Sequence, residues 1–214
     1  MNKTFTYVAL LSSTYIAHFS TAQNQVDNIF LDRKFWSKTT TIEQINEQIA
    51  KGNDLSASNR GNFDAYYFGI MAGTSNEVLK YIVQYPNNGV HKPSHDGRTN
   101  LFWSASTNNV EMVKFFLQNG AKTDLVDEKG STPLLFAVSN GCDNLEIYDL
   151  LLKYGSNVKK ETSRSGANAL LLAAPHAKNL EIIEYFTKKG LSTKSKDEEG
   201  NGILEYAAQG GNIT

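Results

Sequence analysis

The chain has 214 residues, of which 40% are hydrophobic, and its formal net charge at pH 7 is −1. A chain this close to neutral lacks the basic surface that binds nucleic acid or acidic lipid, so we expect neither partner. The single cysteine, Cys142, excludes an internal disulfide, and no histidine or aspartate is placed to make it a nucleophile.

Residues 1–22 have the pattern of a secretory signal peptide. Lys3 gives a positive start, Phe5–Ala17 is uncharged and mostly apolar, and Ser20–Ala22 offers a small-x-small cleavage site. The apolar run is too short to span a bilayer, so we expect no membrane insertion after cleavage. This predicts an extracytoplasmic protein, periplasmic or secreted. Polar residues dilute the run, so a weak signal or an uncleaved tail is the alternative.

The remainder of the chain repeats one pattern with a period of 33 to 36 residues. The landmarks are turn glycines, acidic residues that open a second helix, and glycines that end it. They are Gly97, Gly130, Gly166 and Gly200; Glu111, Glu146 and Glu181; and Gly120, Gly155 and Gly190. Landmarks that stay in step over several units indicate an internal repeat, whose units bury their apolar faces by stacking.

Residues 23–58 are expected to form an N-terminal capping half-repeat. Isoleucines within 42–49 recur at i, i+3 and i+7, which places them on one helical face. We expect Phe35 and Trp36 to pack beneath this cap rather than to bind a ligand.

Four repeat units and the start of a fifth are predicted after the cap. Their bounds are 59–93 (a divergent unit), 94–126, 127–162, 163–196 and 197–214. Trp103 is expected in the core, and Pro175 is expected to end the first helix of its unit early. Because the last unit stops after its first helix, we expect the chain to be a fragment of a longer solenoid.

The clearest copy of the motif lies within 127–158. Thr132-Pro133-Leu134 combines a capping threonine with proline at the first helical position, and Gly155 ends the second helix. The segments TPLLFAVSNG, FFLQNGA and LLLKYGS resemble the ankyrin repeat. The resemblance implies an all-α solenoid of helix-turn-helix units with projecting turns, and a concave face of turn tips and first helices that binds proteins.

Carried onto this chain, the contact positions of the ankyrin family flank each turn glycine and close each first helix. They are His95, Asp96, Arg98, Ser106, Thr107, Glu128, Lys129, Ser131, Ser139, Asn140, Arg164, Ser165, Ala167, His176, Glu198, Glu199, Asn201 and Gln209. For any one of them, a solvated turn tip is the alternative interpretation. The two arginines are typical of interface cores and favour an acidic or carboxylate-bearing partner surface.

The resemblance favours an exported, monomeric binding module that holds an unidentified protein partner and needs no cofactor. No nucleophile elbow, phosphate loop or zinc ligand set occurs, and Pro93 keeps His91 and His95 off one helical face. We therefore expect neither an enzyme nor a metal site. Two alternatives stay open: an accessory or regulatory domain of an enzyme whose catalytic part lies beyond residue 214, and an intracellular scaffold or effector if the signal is not cleaved.

Overall fold

The computed structural model describes residues 28–211, so the predicted signal peptide lies outside the described part. Residues 28–211 form ten α-helices and no strand beyond isolated bridges. The helices are α1 (Ile42–Ala50), α2 (Ala65–Met71), α3 (Asn76–Gln84), α4 (Asn100–Ser106), α5 (Val110–Gln118), α6 (Pro133–Ser139), α7 (Leu145–Lys153), α8 (Ala169–Ala173), α9 (Glu181–Lys188) and α10 (Ile203–Gln209).

The helices stack in two layers. The first helices α2, α4, α6, α8 and α10 pack successively in one layer, and the second helices α3, α5 and α7 pack successively in the other. Each of α4, α6 and α8 also contacts the second helix of its own unit. This stacking confirms the predicted all-α solenoid.

Short polar side chains begin the first helices. Asp64, Thr132 and Asn168 each accept a hydrogen bond from the backbone N–H three residues on, which satisfies an otherwise unpaired donor. Pro133 occupies the first helical position of α6, as its fixed φ favours. These local features set the start of α2, α6 and α8.

A residue with positive φ closes each projecting turn. Gly97, Gly130, Gly166 and Gly200 have φ between 73° and 86°. In the 59–93 unit, Asn62 takes this position with φ 59°. Asparagine tolerates the left-handed region better than most residues, which explains why no glycine marks this turn in the sequence.

The N-terminal cap is anchored by its aromatic residues. Instead of a first helix, the segment before α1 forms two 3₁₀ turns, Ile29–Leu31 and Arg33–Phe35. Trp36 is buried and its Nε1 donates to the carbonyl of Phe30 at 2.9 Å. The prediction that the aromatic pair packs beneath the cap is confirmed.

Two local features accommodate the bulky residues of the 59–93 unit. Tyr66 is fully buried, and its hydroxyl is 2.7 Å from Oγ of Ser104 in the next unit. Gly69 supplies the small residue at the helix contact, where a Cβ would lie 3.2 Å from Leu79 Cδ2. Both features let α2 pack against its neighbouring helices although the sequence diverges.

Two further expectations about local structure are confirmed. Trp103 is buried, and its Nε1 donates to Ser94 Oγ at 2.8 Å. The α8 helix has five residues and passes into a 3₁₀ turn, Ala174–His176, that contains Pro175. None of the helices in 28–211 reaches the length and apolar content that crossing a membrane takes.

Candidate protein interface

Two pairs of adjacent projecting turns are joined through their backbones. The N–H of Glu128 donates to the carbonyl of Asp96 at 2.8 Å, and that of Glu198 donates to the carbonyl of Ser165 at 2.9 Å. These bonds link turns of adjacent units. We call the surface made by the turns and the C-terminal ends of the first helices from residue 94 onward the tip face.

Within each turn, the first side chain folds back onto the backbone. Asp127 Oδ1 accepts from the N–H groups of Lys129 and Ser131 at 3.0 and 2.8 Å, and Asp197 makes the same pair of bonds two and four residues on. The repeat motif alone did not single out Asp127 and Asp197. Their signal was a polar residue three positions before each turn glycine, a common turn-forming arrangement.

The predicted contact residues fall into two groups by exposure. Exposed residues are Glu128, Lys129, Asn140, Arg164, Ser165, His176, Glu198, Glu199 and Gln209, and half-buried residues are His95, Asp96, Ser106, Thr107, Ser131, Ser139 and Asn201. The hydroxyls of Ser106 and Ser139 donate to carbonyls of their own helices at 3.1 Å. The structure thus brings most of the predicted set onto the tip face.

Arg98 is the main correction to that set, because it is only 8% exposed. Its Nε donates to Asp127 Oδ2 at 2.7 Å, and its Nη1 lies 3.1 Å from Asp96 Oδ2. Its guanidinium lies 4.3 Å from the ring centroid of Phe136 and 5.3 Å from that of Trp103. The side chain holds two units together and is not free to bind a partner.

Ala167 is the second correction, since it is fully buried. It packs with Leu171, Ala174 and Tyr206 between the last two units. No surface of its side chain is left for a partner.

Arg164 differs from Arg98 because it lies outside the core. It extends along the turn of the preceding unit, where a Cβ on Gly130 would meet its Cγ at 2.5 Å, and its Nη2 donates to the carbonyl of Glu128. The residue is exposed, so its charge faces solvent at the tip face.

Each of the two histidines on this surface contacts the backbone of the preceding unit. His95 Nδ1 is 2.8 Å from the carbonyl of Gly61, and His176 Nε2 is 2.9 Å from the carbonyl of Ser139. Both rings therefore reinforce the connection between adjacent units.

Neither a metal-binding cluster nor a reactive thiol is present among residues 28–211. No group of three or more histidine, cysteine, aspartate or glutamate side chains in 28–211 is placed to hold a metal ion. Cys142 is buried, and burial raises the pKa of its thiol, which donates to Asn108 Oδ1 at 3.0 Å. A buried, protonated thiol is inert as a nucleophile.

The fold and its turns define a helical repeat solenoid, and comparison identifies the repeat. Residues 68–162 match the family described as ankyrin repeats in three copies. The chain is 28% identical over 138 residues to the ankyrin repeat protein FPV223 of fowlpox virus, covering 64% of this chain and 93% of that protein. Residues 68–162 therefore contain ankyrin repeats, and the fold of the described part is an all-α ankyrin-repeat solenoid.

Other relatives are much longer than this chain. It is 30% identical over 118 residues to mouse palmitoyltransferase ZDHHC13, covering 52% of this chain and 18% of that protein. It is 29% identical over 135 residues to alpha-latroinsectotoxin-Lt1a of Latrodectus tredecimguttatus, covering 62% of this chain and 9% of that protein. The chain spans less than a third of the length of its palmitoyltransferase and ubiquitin-ligase relatives.

A solved structure shares the fold. It is a chain in the complex of the predatory endopeptidase Bd0816 from Bdellovibrio bacteriovorus with immunity protein Bd3460. The TM-score is 0.62, the sequence identity is 18%, and the match covers 80% of this chain and 87% of that chain.

Proposed function

We propose that this chain is a protein-binding module that holds a protein partner on its tip face. The observation that carries the proposal is the row of exposed polar tips mounted on turns that are bonded to one another. A preorganised backbone loses little conformational freedom on binding, so such tips favour association. Ankyrin repeats are in general protein-interaction modules, and the solved relative in fold is itself part of a protein–protein complex.

The described part is further proposed to be non-catalytic. The buried thiol of Cys142 and the lack of a clustered ligand set within 28–211 support this view. Asp127 and Asp197, the acidic residues that begin two of the turns, accept backbone hydrogen bonds within those turns.

Variants of two adjacent tip residues test the binding proposal. Glu128→Ala combined with Lys129→Ala removes exposed tip side chains without changing net charge. The matched control is Glu77→Ala with Lys153→Ala, which changes exposed residues on α3 and α7 in the second-helix layer. Affinity capture with the purified protein is expected to lose its partner in the tip variant and to keep it in the control. Equal capture by both variants contradicts the proposal.

The chain is also proposed to act outside the cytoplasm, on the strength of the signal-peptide pattern of residues 1–22. N-terminal sequencing of the protein from its native source is expected to begin at Gln23. A retained Met1 contradicts export and favours the intracellular scaffold instead.

A second candidate is an accessory domain of a longer enzyme. It is favoured by the palmitoyltransferase relative, of which the chain matches only 18%. Determining the full length of the native polypeptide by mass spectrometry separates the two: a mass set by 214 residues or fewer contradicts the accessory-domain proposal.

A further inference from the structure

The N-terminal end of the first-helix layer carries a groove that the predicted contact residues did not include. Two adjoining depressions share Arg33 and Phe68. One is completed by Tyr67, Met71 and Ala72, and the other by residues that include Leu31, Asp32, Lys34, Asn59 and Phe63. We call the surface formed by Arg33, Lys34, Phe63, Tyr67, Phe68 and Met71 the N-terminal groove.

The groove exists because the cap lacks a regular first helix. Later first helices pack against a complete helix on their N-terminal side, whereas α2 meets the 3₁₀ turn Ile29–Leu31. A three-residue turn covers less of α2 than a helix of seven residues does. Part of the aromatic surface of α2 therefore stays accessible.

Apolar residues stand in this groove where other units use small or polar ones. Met71 is 57% exposed and follows the helix-capping residue by seven positions. Ser106, Ser139 and Gln209 occupy the same position in three other units. The fold does not require an exposed methionine there, so Met71 adds apolar surface beside Tyr67 that the repeat itself does not need.

Phe63 shows the same departure from the repeat. It immediately precedes the capping residue, a position that holds Arg98, Ser131 and Asn201 in other units. Phe63 is half-buried, and its ring stacks on His95 at 4.1 Å and lies 4.4 Å from Tyr67. The ring is thus fixed in place while one side remains available.

The rim of the groove is positively charged. Arg33 and Lys34 are exposed, and no carboxylate oxygen of residues 28–211 lies within 4.0 Å of the charged nitrogens of either side chain. The acidic residue nearest in sequence, Asp32, uses its Oδ1 to accept the N–H of Lys34. Within a chain of net charge −1, this is a local excess of cations.

We infer that the N-terminal groove binds an acidic peptide segment of a partner protein, with a bulky apolar residue seated against Phe63, Tyr67 and Met71. Carboxylates flanking that residue pair with Arg33 and Lys34. Methionine adapts its shape to varied apolar partners, and arginine binds carboxylates with two parallel hydrogen bonds. The inference rests on the proposed protein-binding function and adds a site and a ligand chemistry to it.

A peptide selection tests the inference without knowledge of the natural partner. The probe is a phage-displayed library of random twelve-residue peptides, panned on the purified protein at low ionic strength. Enriched peptides are expected to combine two or more acidic residues with a leucine, methionine or aromatic residue. Their synthetic forms are expected to bind more weakly as NaCl is raised, because exposed ion pairs are screened.

Two groove variants and two controls locate the binding site. Met71→Ser installs the residue that two other units use, and Arg33→Gln with Lys34→Gln removes the rim charge. Each is expected to weaken binding about thirtyfold or more, the size of a hot-spot loss. Leu204→Ser, which removes a 78% exposed leucine at the other end, is the apolar control. That control and Glu128→Ala/Lys129→Ala are expected to stay within about twofold of wild type.

Three results overturn the inference. They are enrichment of no peptide, enriched peptides without acidic residues, and peptides whose binding survives both groove variants. Peptides lost in the tip variant but retained in the groove variants overturn the groove while leaving the proposed function intact. Conversely, groove binding together with partner capture that is insensitive to the tip variant overturns the tip-face proposal alone.

Discussion

Replacing Arg98 with alanine is expected to destabilise the fold rather than only to alter a surface. The Asp127 side chain is 0% exposed and receives the Arg98 Nε at 2.7 Å, so the variant leaves a buried carboxylate without its cation. Breaking a buried ion pair from one side typically costs about 3–5 kcal/mol in unfolding free energy. Because Asp127 Oδ1 keeps two backbone hydrogen bonds, we expect the lower end, about 3 kcal/mol.

The assay is urea unfolding followed by tryptophan fluorescence, with Lys129→Ala as the exposed control. Lys129→Ala is expected to stay within about 0.5 kcal/mol of wild type. Adding Asp127→Asn to Arg98→Ala is expected to restore part of the loss, because a neutral amide keeps the turn bonds and needs no cation. An Arg98→Ala protein as stable as the Lys129→Ala control refutes the reasoning and returns Arg98 to the candidate interface.

Three further predictions concern the core, the last helix and pH. Leu151 is fully buried, so Leu151→Ala is expected to cost about 2–5 kcal/mol in urea unfolding, and a loss below about 1 kcal/mol contradicts its core placement. A Cβ on Gly210 would lie 2.1 Å from the carbonyl oxygen of Pro175, so Gly210→Ala is expected to speed amide hydrogen exchange in α10. Gln209→Ala, which changes an exposed residue of the same helix, is the control. Burial raises the pKa of Tyr66, so the folded state keeps this phenol protonated while the unfolded state ionises near pH 10. The free energy of unfolding is therefore expected to hold below about pH 10 and to fall above it. Tyr66→Phe is expected to flatten that fall in unfolding curves measured across alkaline pH.

The units could be predicted from the sequence because their boundaries rest on local backbone requirements. The turn glycines Gly130 and Gly166 have positive φ, and Thr132 caps α6 through its own side chain. Each requirement selects a recognisable residue type at a fixed position of the repeat. Where another residue meets the same requirement, as Asn62 does with its positive φ, the glycine is missing from the expected position and the sequence of the unit looks divergent.

The candidate site was only partly predictable, because exposure depends on residues in neighbouring units. Arg98 looks like an interface arginine in the sequence, yet its ion-pair partner Asp127 lies 29 residues away and Phe136 lies 38 residues away. The N-terminal groove was missed for a related reason. Phe63 and Tyr67 are only half-buried, and the segment before α1 forms 3₁₀ turns instead of a helix, which the sequence pattern left open.

Photo-crosslinking from single positions tests the central claim most directly, that the tip face binds a protein partner. A photoreactive amino acid is placed at Ser165, an exposed turn residue, and in a second protein at Lys153, which is exposed on α7 in the other layer. Irradiation with the native protein fraction is expected to yield a discrete crosslinked species from position 165 and none from position 153. Crosslinking from 153 alone, or from neither position, contradicts binding at the tip face.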